Sequence, residues 1–210
     1  NTLKRHTSKE ILKRRIALCG EYAQLFNEMC ESVGIQSSTI NGYVHEFDFF
    51  PGDTLYRDEH AWSTVFVDNK WELMDLTWGS GHLEPKRQFL KNLMWVVFQI
   101  PYEVKWHYVH SYNPDWFYVN PGRMVASHFP VLDFFQFLEN PIDIKQFNRG
   151  YEHILNEYDN KKIVKENSSE IKAYLTMDNH NKLDLECTQT KRINNNNNRL
   201  LGFNNYIIFK

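Results

Sequence analysis

Three residues of this chain have the types and order that nucleophilic catalysis requires: Cys19, His60 and Asp75. Cys19 opens an apolar pattern with three- and four-residue steps that predicts a helix from about Cys19 to Val33. The unpaired amides and the dipole at a helix start stabilise a thiolate, which is the nucleophilic form of cysteine. His60 begins a strand-like segment and is placed to supply a base, with Asp75 fixing its tautomer. The pattern therefore indicates a thiol nucleophile with a histidine–carboxylate pair.

The proximity of His60 and Asp75 depends on how two predicted strands pair. Residues 60–67 and 70–76 are rich in β-branched and aromatic residues and flank Asp68-Asn69, two residue types that tolerate positive φ. A two-residue turn there makes residues whose numbers sum to 137 face each other. His60 and Asp75 are then diagonal neighbours on one sheet face, about 7–8 Å apart between backbones. A slip of one residue would place them on opposite faces.

The rest of the sequence predicts an N-terminal helix and a further strand, and its composition changes near Gly150. Thr7 to Glu10 has capping-box spacing, and residues 35–44 have strand composition. After Gly150 we predict short strands among polar turns, at Ile163, Val164, Ile171, Ala173, Leu175 and Leu183 to Cys187. We therefore expect a β-rich C-terminal unit over residues 149–210, which at about 60 residues is short for a full β-sandwich.

Composition excludes several classes of function. The 210 residues contain 24 Lys and Arg against 26 Asp and Glu, so the net charge of −2 provides no broad basic surface for nucleic acid or an anionic membrane. There is no apolar run of the roughly 18–20 residues needed for a membrane span, and no signal peptide opens the sequence. Three cysteines do not make a disulfide framework. We expect a cytoplasmic protein without nucleic-acid partners.

The nine histidines raise the question of a metal site. His107 and His110 are three residues apart, with His128 as a third candidate ligand. Neither a cysteine cluster nor a His-Glu-x-x-His pattern accompanies them, and no loop is acidic enough for calcium. We therefore expect no metal and no other cofactor.

Three sequence blocks resemble the transglutaminase-like branch of papain-fold proteins: Cys19-Gly20-Glu21-Tyr22-Ala23, His60-Ala61-Trp62 and the segment from Trp71 to Gly81. A second group of motifs is similar to the kyphoscoliosis peptidase and hillarin group: Trp116-Phe117, Ser127-His128-Phe129-Pro130 and Gln136-Phe137-Leu138. The resemblance covers about residues 8 to 148. Peptide N-glycanases are also similar around the cysteine, but they usually add two cysteine pairs for zinc.

The resemblance implies an α+β fold in which residues 1–148 form a cysteine core domain, with the cysteine-bearing helix packed on an antiparallel sheet. It implies acyl transfer through a thioester on protein substrates, with Cys19, His60 and Asp75 as the catalytic triad. Peptide hydrolysis and glutamine transfer to an amine both remain open. Trp62 and Trp78 are expected to line the substrate site, with hydrophobic core as the alternative for each. His128 is expected to anchor strand packing.

A non-catalytic scaffold is the alternative to an enzyme. Ile16-Ala17-Leu18 precede the cysteine where the family usually has a glycine, and only 18 residues stand before Cys19. Much of the family's upstream segment is therefore missing, and we expect the chain to be a fragment of a longer protein. The group's association with muscle and cell cortex implies cytoskeletal proteins as partners and a cytoskeletal location for either alternative.

Overall fold

The computed structural model describes residues 6–45, 59–85, 96–98, 106–158 and 169–196. Its helices are α1 (Ser8–Arg14), α2 (Cys19–Ser32), α3 (Leu76–Ser80), α4 (Pro121–Ser127), α5 (Ile144–Phe147), α6 (Tyr151–Tyr158), α7 (Ser169–Thr176) and α8 (Asn179–Asn196), with 3₁₀ turns at Pro114–Trp116 and Asp133–Gln136. Its strands are β1 (Ser37–Val44), β2 (Glu59–Val67), β3 (Lys70–Met74), β4 (Gly81–Pro85), β5 (Trp106–His110), β6 (Phe117–Val119) and β7 (His128–Pro130). In these ranges no helix combines the length and the apolar character needed to cross a membrane.

The centre of the fold is a five-stranded antiparallel sheet in the order β6-β3-β2-β1-β7. Helix α2 packs against β2, the middle strand, and against its neighbour β1. Strands β4 and β5 pair separately as a second, two-stranded sheet. The predicted α+β fold, with the cysteine-bearing helix on an antiparallel sheet, is confirmed.

The turn between β2 and β3 has the geometry that the sequence predicts. Asp68 and Asn69 both adopt positive φ, at 51° and 63°. Ser63 then pairs with Met74, and the whole ladder follows the predicted register. Strand β3 ends at Met74, so Asp75 is the first residue beyond the strand and caps α3.

Helix α2 begins at the predicted residue and ends one residue earlier than predicted, before Gly34 at φ 74°. Its buried side is rotated from the expected apolar stripe. Ala23 and Cys30 are buried, whereas Met29 is 60% exposed. The hydrogen bond from Asn27 Nδ2 to Thr39 Oγ1, at 2.7 Å, turns the Asn27 side of the helix toward β1. The helix–sheet interface therefore combines part of the apolar stripe, Phe26 and Cys30, with a polar contact from Asn27.

The prediction of a β-rich C-terminal unit is wrong for the described residues, which form α6, α7 and α8. The alternation of Ile171, Ala173 and Leu175 resembles a strand, but such short runs do not distinguish strand from helix. Ile171 and Tyr174 are three residues apart and are both buried, as on one face of a helix. The other predicted strand, at Ile163 and Val164, lies outside the described residues.

The C-terminal helices share hydrophobic clusters with the sheet domain. Ile171 and Tyr174 pack in one cluster with Ile40 of β1. Glu186 of α8 accepts hydrogen bonds from Asn41 Nδ2 at 3.1 Å and from Tyr174 Oη at 2.7 Å, and so links two helices to the sheet. The domain boundary at residue 148 stays a prediction. The hydrophobic clusters contain residues from both sides of it.

The motifs between Ser127 and Leu138 close one edge of the sheet. His128 to Pro130 form β7, which pairs with β1. The buried Gln136 side chain accepts from the Ile142 amide at 2.8 Å and donates to the Ile142 carbonyl at 2.9 Å. Gln136 thereby satisfies two main-chain groups that would otherwise be buried without partners, which is costly. This segment fixes the position of β7.

Gly42 on β1 provides a test of this packing. A Cβ at this position would collide with the Phe129 carbonyl oxygen and the Trp62 ring, whereas a Cβ at Gly20 would meet no atom within 4 Å. We predict that Gly42→Ala lowers the free energy of unfolding by about 1–3 kcal/mol, as expected for overpacking. Denaturant unfolding measures this, with Gly20→Ala as the matched control, because alanine is the better helix former. Equal stability of the two variants would contradict the packing.

Candidate active site

Cys19 is the first residue of α2 and its side chain is half-buried. Leu18 has an extended backbone, and its N–H donates to the Glu21 carboxylate at 3.0 Å, which fixes the start of the helix. The position of a Cβ on Gly20 is open space, so the helix does not cover the side next to the thiol. Helix geometry therefore leaves Cys19 both anchored and approachable.

His60 on β2 lies between Cys19 and Asp75. Its Nε2 is 2.7 Å from Asp75 Oδ2, and its side chain is 9% exposed. The ring also lies close enough to the Cys19 thiol for the two groups to shift each other's pKa. Because Asp75 engages Nε2, the other ring nitrogen, Nδ1, is the one available to the sulfur. The structure thus brings the three residues predicted from the sequence together, with His60 between the thiol and the carboxylate.

Asp75 is completely buried and accepts four hydrogen bonds. The amides of Thr77 and Trp78 donate to Oδ1 at 2.8 and 3.0 Å, as in a helix N-cap. His60 and His128 both approach Oδ2, at 2.7 and 3.0 Å. Burial alone would raise the pKa of this carboxyl, but the hydrogen bonds and charges of His128 and His60 hold it well below its usual range. Asp75 is therefore a carboxylate at all physiological pH values.

The Cys19–His60 pair favours the ionised form of both residues. Burial would raise the pKa of the Cys19 thiol, but the hydrogen bond and charge of His60, with the amides of Ala61 and Gly20, bring it below its ordinary value. Burial would lower the pKa of His60, but the hydrogen bonds and charges of Asp75 and Cys19 raise it to about 9. A thiolate beside an imidazolium is the form of a cysteine nucleophile that is ready to react.

These shifts also link the site to stability. The pKa of His60 is raised from 6.5 to about 9 on folding. Its stabilising interactions are therefore fully present below about pH 6.5 and are lost as the pH rises through about 9.

The two tryptophans predicted to contact substrate have different positions. Trp78 is half-buried, with its ring 5.7 Å from the His60 ring and 4.8 Å from Trp116. Trp62 is 2% exposed, belongs to the core cluster and packs against His128 at 5.0 Å. The burial of Trp62 fits the alternative of core packing, and its contact with substrate stays a prediction.

His128 is a member of the site that the sequence does not reveal. The sequence predicts a packing role, yet the fully buried ring hydrogen-bonds Asp75 through Nε2 and Ser127 Oγ through Nδ1, at 3.0 and 2.7 Å. Burial lowers the pKa of His128 on balance, despite the raising effect of Asp75, and this keeps the ring neutral. His128 lies 53 residues from Asp75, on a strand that pairs with β1 rather than β3. No local pattern signals this long-range contact.

Among the described residues, His60, Asp75 and His128 place three potential metal-ligand atoms within 4.8 Å of one another. These atoms already hydrogen-bond each other, and this accounts for their proximity without a cation. His107 and His110, the other histidines considered from the sequence, are exposed on β5. That the protein uses no metal stays a prediction.

Comparisons with known proteins agree with the fold class. Residues 1–76 match the model of the transglutaminase-like superfamily. Kyphoscoliosis peptidases of Homo sapiens and Mus musculus are each 29% identical to this chain over 145 residues, which is 69% of the chain and 19% of the relative. The Lim and transglutaminase domain protein ltd-1 of Caenorhabditis elegans is 24% identical over 130 residues, 61% of the chain and 17% of the relative. The chain thus matches about a fifth of the length of these relatives.

The ionised pair predicts selective alkylation of one thiol. We expect iodoacetamide at pH 6 to label Cys19 at least about tenfold faster than an ordinary thiol, because each unit by which a pKa is lowered raises the thiolate fraction about tenfold. Cys19→Ala removes the fast site, and Cys30 and Cys187 remain as internal references. His60→Ala slows labelling at pH 6 by a similar factor. A Cys19 that reacts no faster than a free thiol is not activated.

The raised pKa of His60 predicts a defined effect of removing the Asp75 charge. In Asp75→Asn we expect the pKa of His60 to fall from about 9 to 6.5 or below, because burial of the ring is then no longer offset by a carboxylate. Long-range ¹H–¹⁵N NMR of the histidine rings follows this titration, with the exposed His180 as the control. Titration of His60 near 9 in both proteins would show that Asp75 does not set its charge.

Proposed function

We propose that this chain is a thiol-dependent acyl-transfer enzyme acting on protein substrates, since residues 1–76 match the model of the transglutaminase-like superfamily. The observation that carries the proposal is the placement of His60 between the Cys19 thiol and Asp75, whose Oδ2 lies 2.7 Å from His60 Nε2. In this proposal Cys19 is the nucleophile, His60 the acid and base, and Asp75 the residue that orients His60.

Acylation follows from the ionised state of the pair. The Cys19 thiolate attacks the carbonyl carbon of a peptide bond or a glutamine side chain, and the carbonyl π electrons move to oxygen. When the intermediate collapses, the C–N bond breaks, and the His60 imidazolium gives its Nδ1 proton to the departing nitrogen. The products are a thioester on Cys19 and an amine or ammonia. Asp75 holds the ring in place throughout, through its bond to Nε2.

The thioester is then released by an incoming nucleophile. Neutral His60 takes a proton from water or from a lysine amine, which attacks the thioester carbonyl and returns the thiolate. Water completes a peptidase cycle, and a lysine amine completes protein cross-linking. The name kyphoscoliosis peptidase describes the first outcome in two of the relatives. The accessibility of the thioester to water selects between the two reactions.

The surface beside Cys19 supports a protein substrate. Ile16 and Leu18, which directly precede the cysteine, are 71% and 73% exposed. The half-buried Trp78 stands beside His60, and the helix is open at Gly20. Exposed apolar side chains at the edge of a polar site suit the side chains of an extended polypeptide. We therefore assign substrate contact to this surface, with Trp78 as its aromatic wall.

The test is incubation of the chain with casein and a fluorescent primary amine. Incorporation of fluorescence into casein is expected for a transferase, and casein fragments without incorporation are expected for a peptidase. Cys19→Ala is the control and should abolish either signal, since no thioester forms. The absence of both signals, with rapid alkylation of Cys19 also absent, would overturn the proposal and leave the scaffold that binds cytoskeletal proteins.

A further inference from the structure

We propose that His128 is a positioning residue of the site, which holds the Asp75 carboxylate toward His60 by donating a hydrogen bond from Nε2. This inference rests on the proposed function, since it gives His128 a task within the same triad. The family resemblance implies only strand packing for this residue. The structure instead places its ring against the single carboxylate on which the triad depends.

The tautomer of His128 follows from its two partners. Asp75 Oδ2 is a carboxylate oxygen and accepts only, so the Nε2 that lies 3.0 Å away carries a proton. The ring is neutral, since a second positive charge beside the His60 imidazolium would be unfavourable. Nδ1 is then an acceptor, and the Ser127 hydroxyl is its donor, since its oxygen lies 2.7 Å from Nδ1 and 3.4 Å from its other acceptor, the Met124 carbonyl. Ser127 thus selects the tautomer that His128 needs in order to donate to Asp75.

The Asp75 carboxylate binds two imidazoles that differ in their exposure and in their distance from the thiol. His60 is 9% exposed and faces the thiol, whereas His128 is fully buried and reaches no reacting atom. His128 is therefore not a catalytic residue. Its hydrogen bond stabilises the charged form of Asp75, so its loss leaves the buried carboxylate with weaker support and easier protonation. Protonated Asp75 would no longer hold His60 as an imidazolium beside Cys19.

Other titratable groups near Asp75 and His128 do not change charge between pH 5 and 8. The groups that face it are Cys19 and His60, already described, and also His45 and Tyr108. Burial lowers the pKa of His45 to about 4, and burial raises the pKa of Tyr108. Between pH 5 and 8 a change in Cys19 reactivity caused by a His128 variant therefore reports on the triad itself.

The experiment is the pH dependence of Cys19 alkylation in the whole chain, with iodoacetamide as the probe. In His128→Leu we expect the acidic midpoint of the rate profile to rise by about one unit, so that the rate well below this midpoint falls about tenfold while the rate at pH 8 stays near wild type. His128→Gln places an amide N–H at the same number of bonds from the backbone, and should restore most of the loss. Ser127→Ala should cause a smaller change in the same direction.

Phe129→Leu is the matched control for packing. Phe129 is the next residue of β7 and is 5% exposed, but it packs in the cluster of Tyr43 and Phe147, away from Asp75. It should lower stability without moving the acidic midpoint. Should His128→Leu fail to fold, the His128→Gln and Ser127→Ala profiles still decide the matter. An acidic midpoint that is the same in all folded variants as in wild type overturns the inference.

A second measurement separates this inference from the proposed function. The ¹⁵N shifts of His128 in the wild-type chain should show a neutral ring protonated at Nε2. If Cys19 is not activated but this tautomer is found, the enzyme proposal fails and the hydrogen bond to Asp75 stands. If Cys19 is activated and His128 carries its proton at Nδ1 instead, the positioning role fails and the triad remains.

Discussion

A single buried carboxylate is the interaction on which the rest of this site depends. Asp75 has no exposed surface, so its negative charge is stable only because four donors surround it. Two of the donors are amides at the start of α3 and come with the helix itself. The other two are imidazoles from different strands. The strands must therefore be in their correct positions before the carboxylate can be ionised and can support the charge of His60.

The fold provides these positions through contacts of very different range. His60 reaches Asp75 through the tight turn between β2 and β3, so their contact is local in the chain. His128 lies on β7. The position of β7 beside β1 is fixed by the packing at Gly42 and by the hydrogen bonds of the Gln136 side chain to the Ile142 main chain. The C-terminal helices pack against the same sheet through the hydrogen bonds of Glu186. Residues far from the thiol thus stabilise the elements that carry the triad.

Features set by residues close in the chain were predictable from the sequence, and features set by distant residues were not. The β2–β3 register was predictable because Asp68 and Asn69 specify a two-residue turn, and the turn fixes every pair in the ladder. The buried face of α2 was only partly predictable, since Asn27 bonds β1 where the apolar pattern gives it no role. The C-terminal helices were mistaken for strands, because runs as short as Ile171 to Leu175 fit both periods and their true partner is the distant sheet.

The sequence by itself determined the helix start at Cys19 and the turn that aligns His60 with Asp75, because each depends on neighbours along the chain. Only the tertiary structure decided that Trp62 lies in the core, that the C-terminal residues are helical, and that His128 completes the shell around Asp75. The physical reason is that burial and hydrogen bonding between distant strands are set by packing. No local sequence pattern around His128 indicates that it binds a carboxylate 53 residues away.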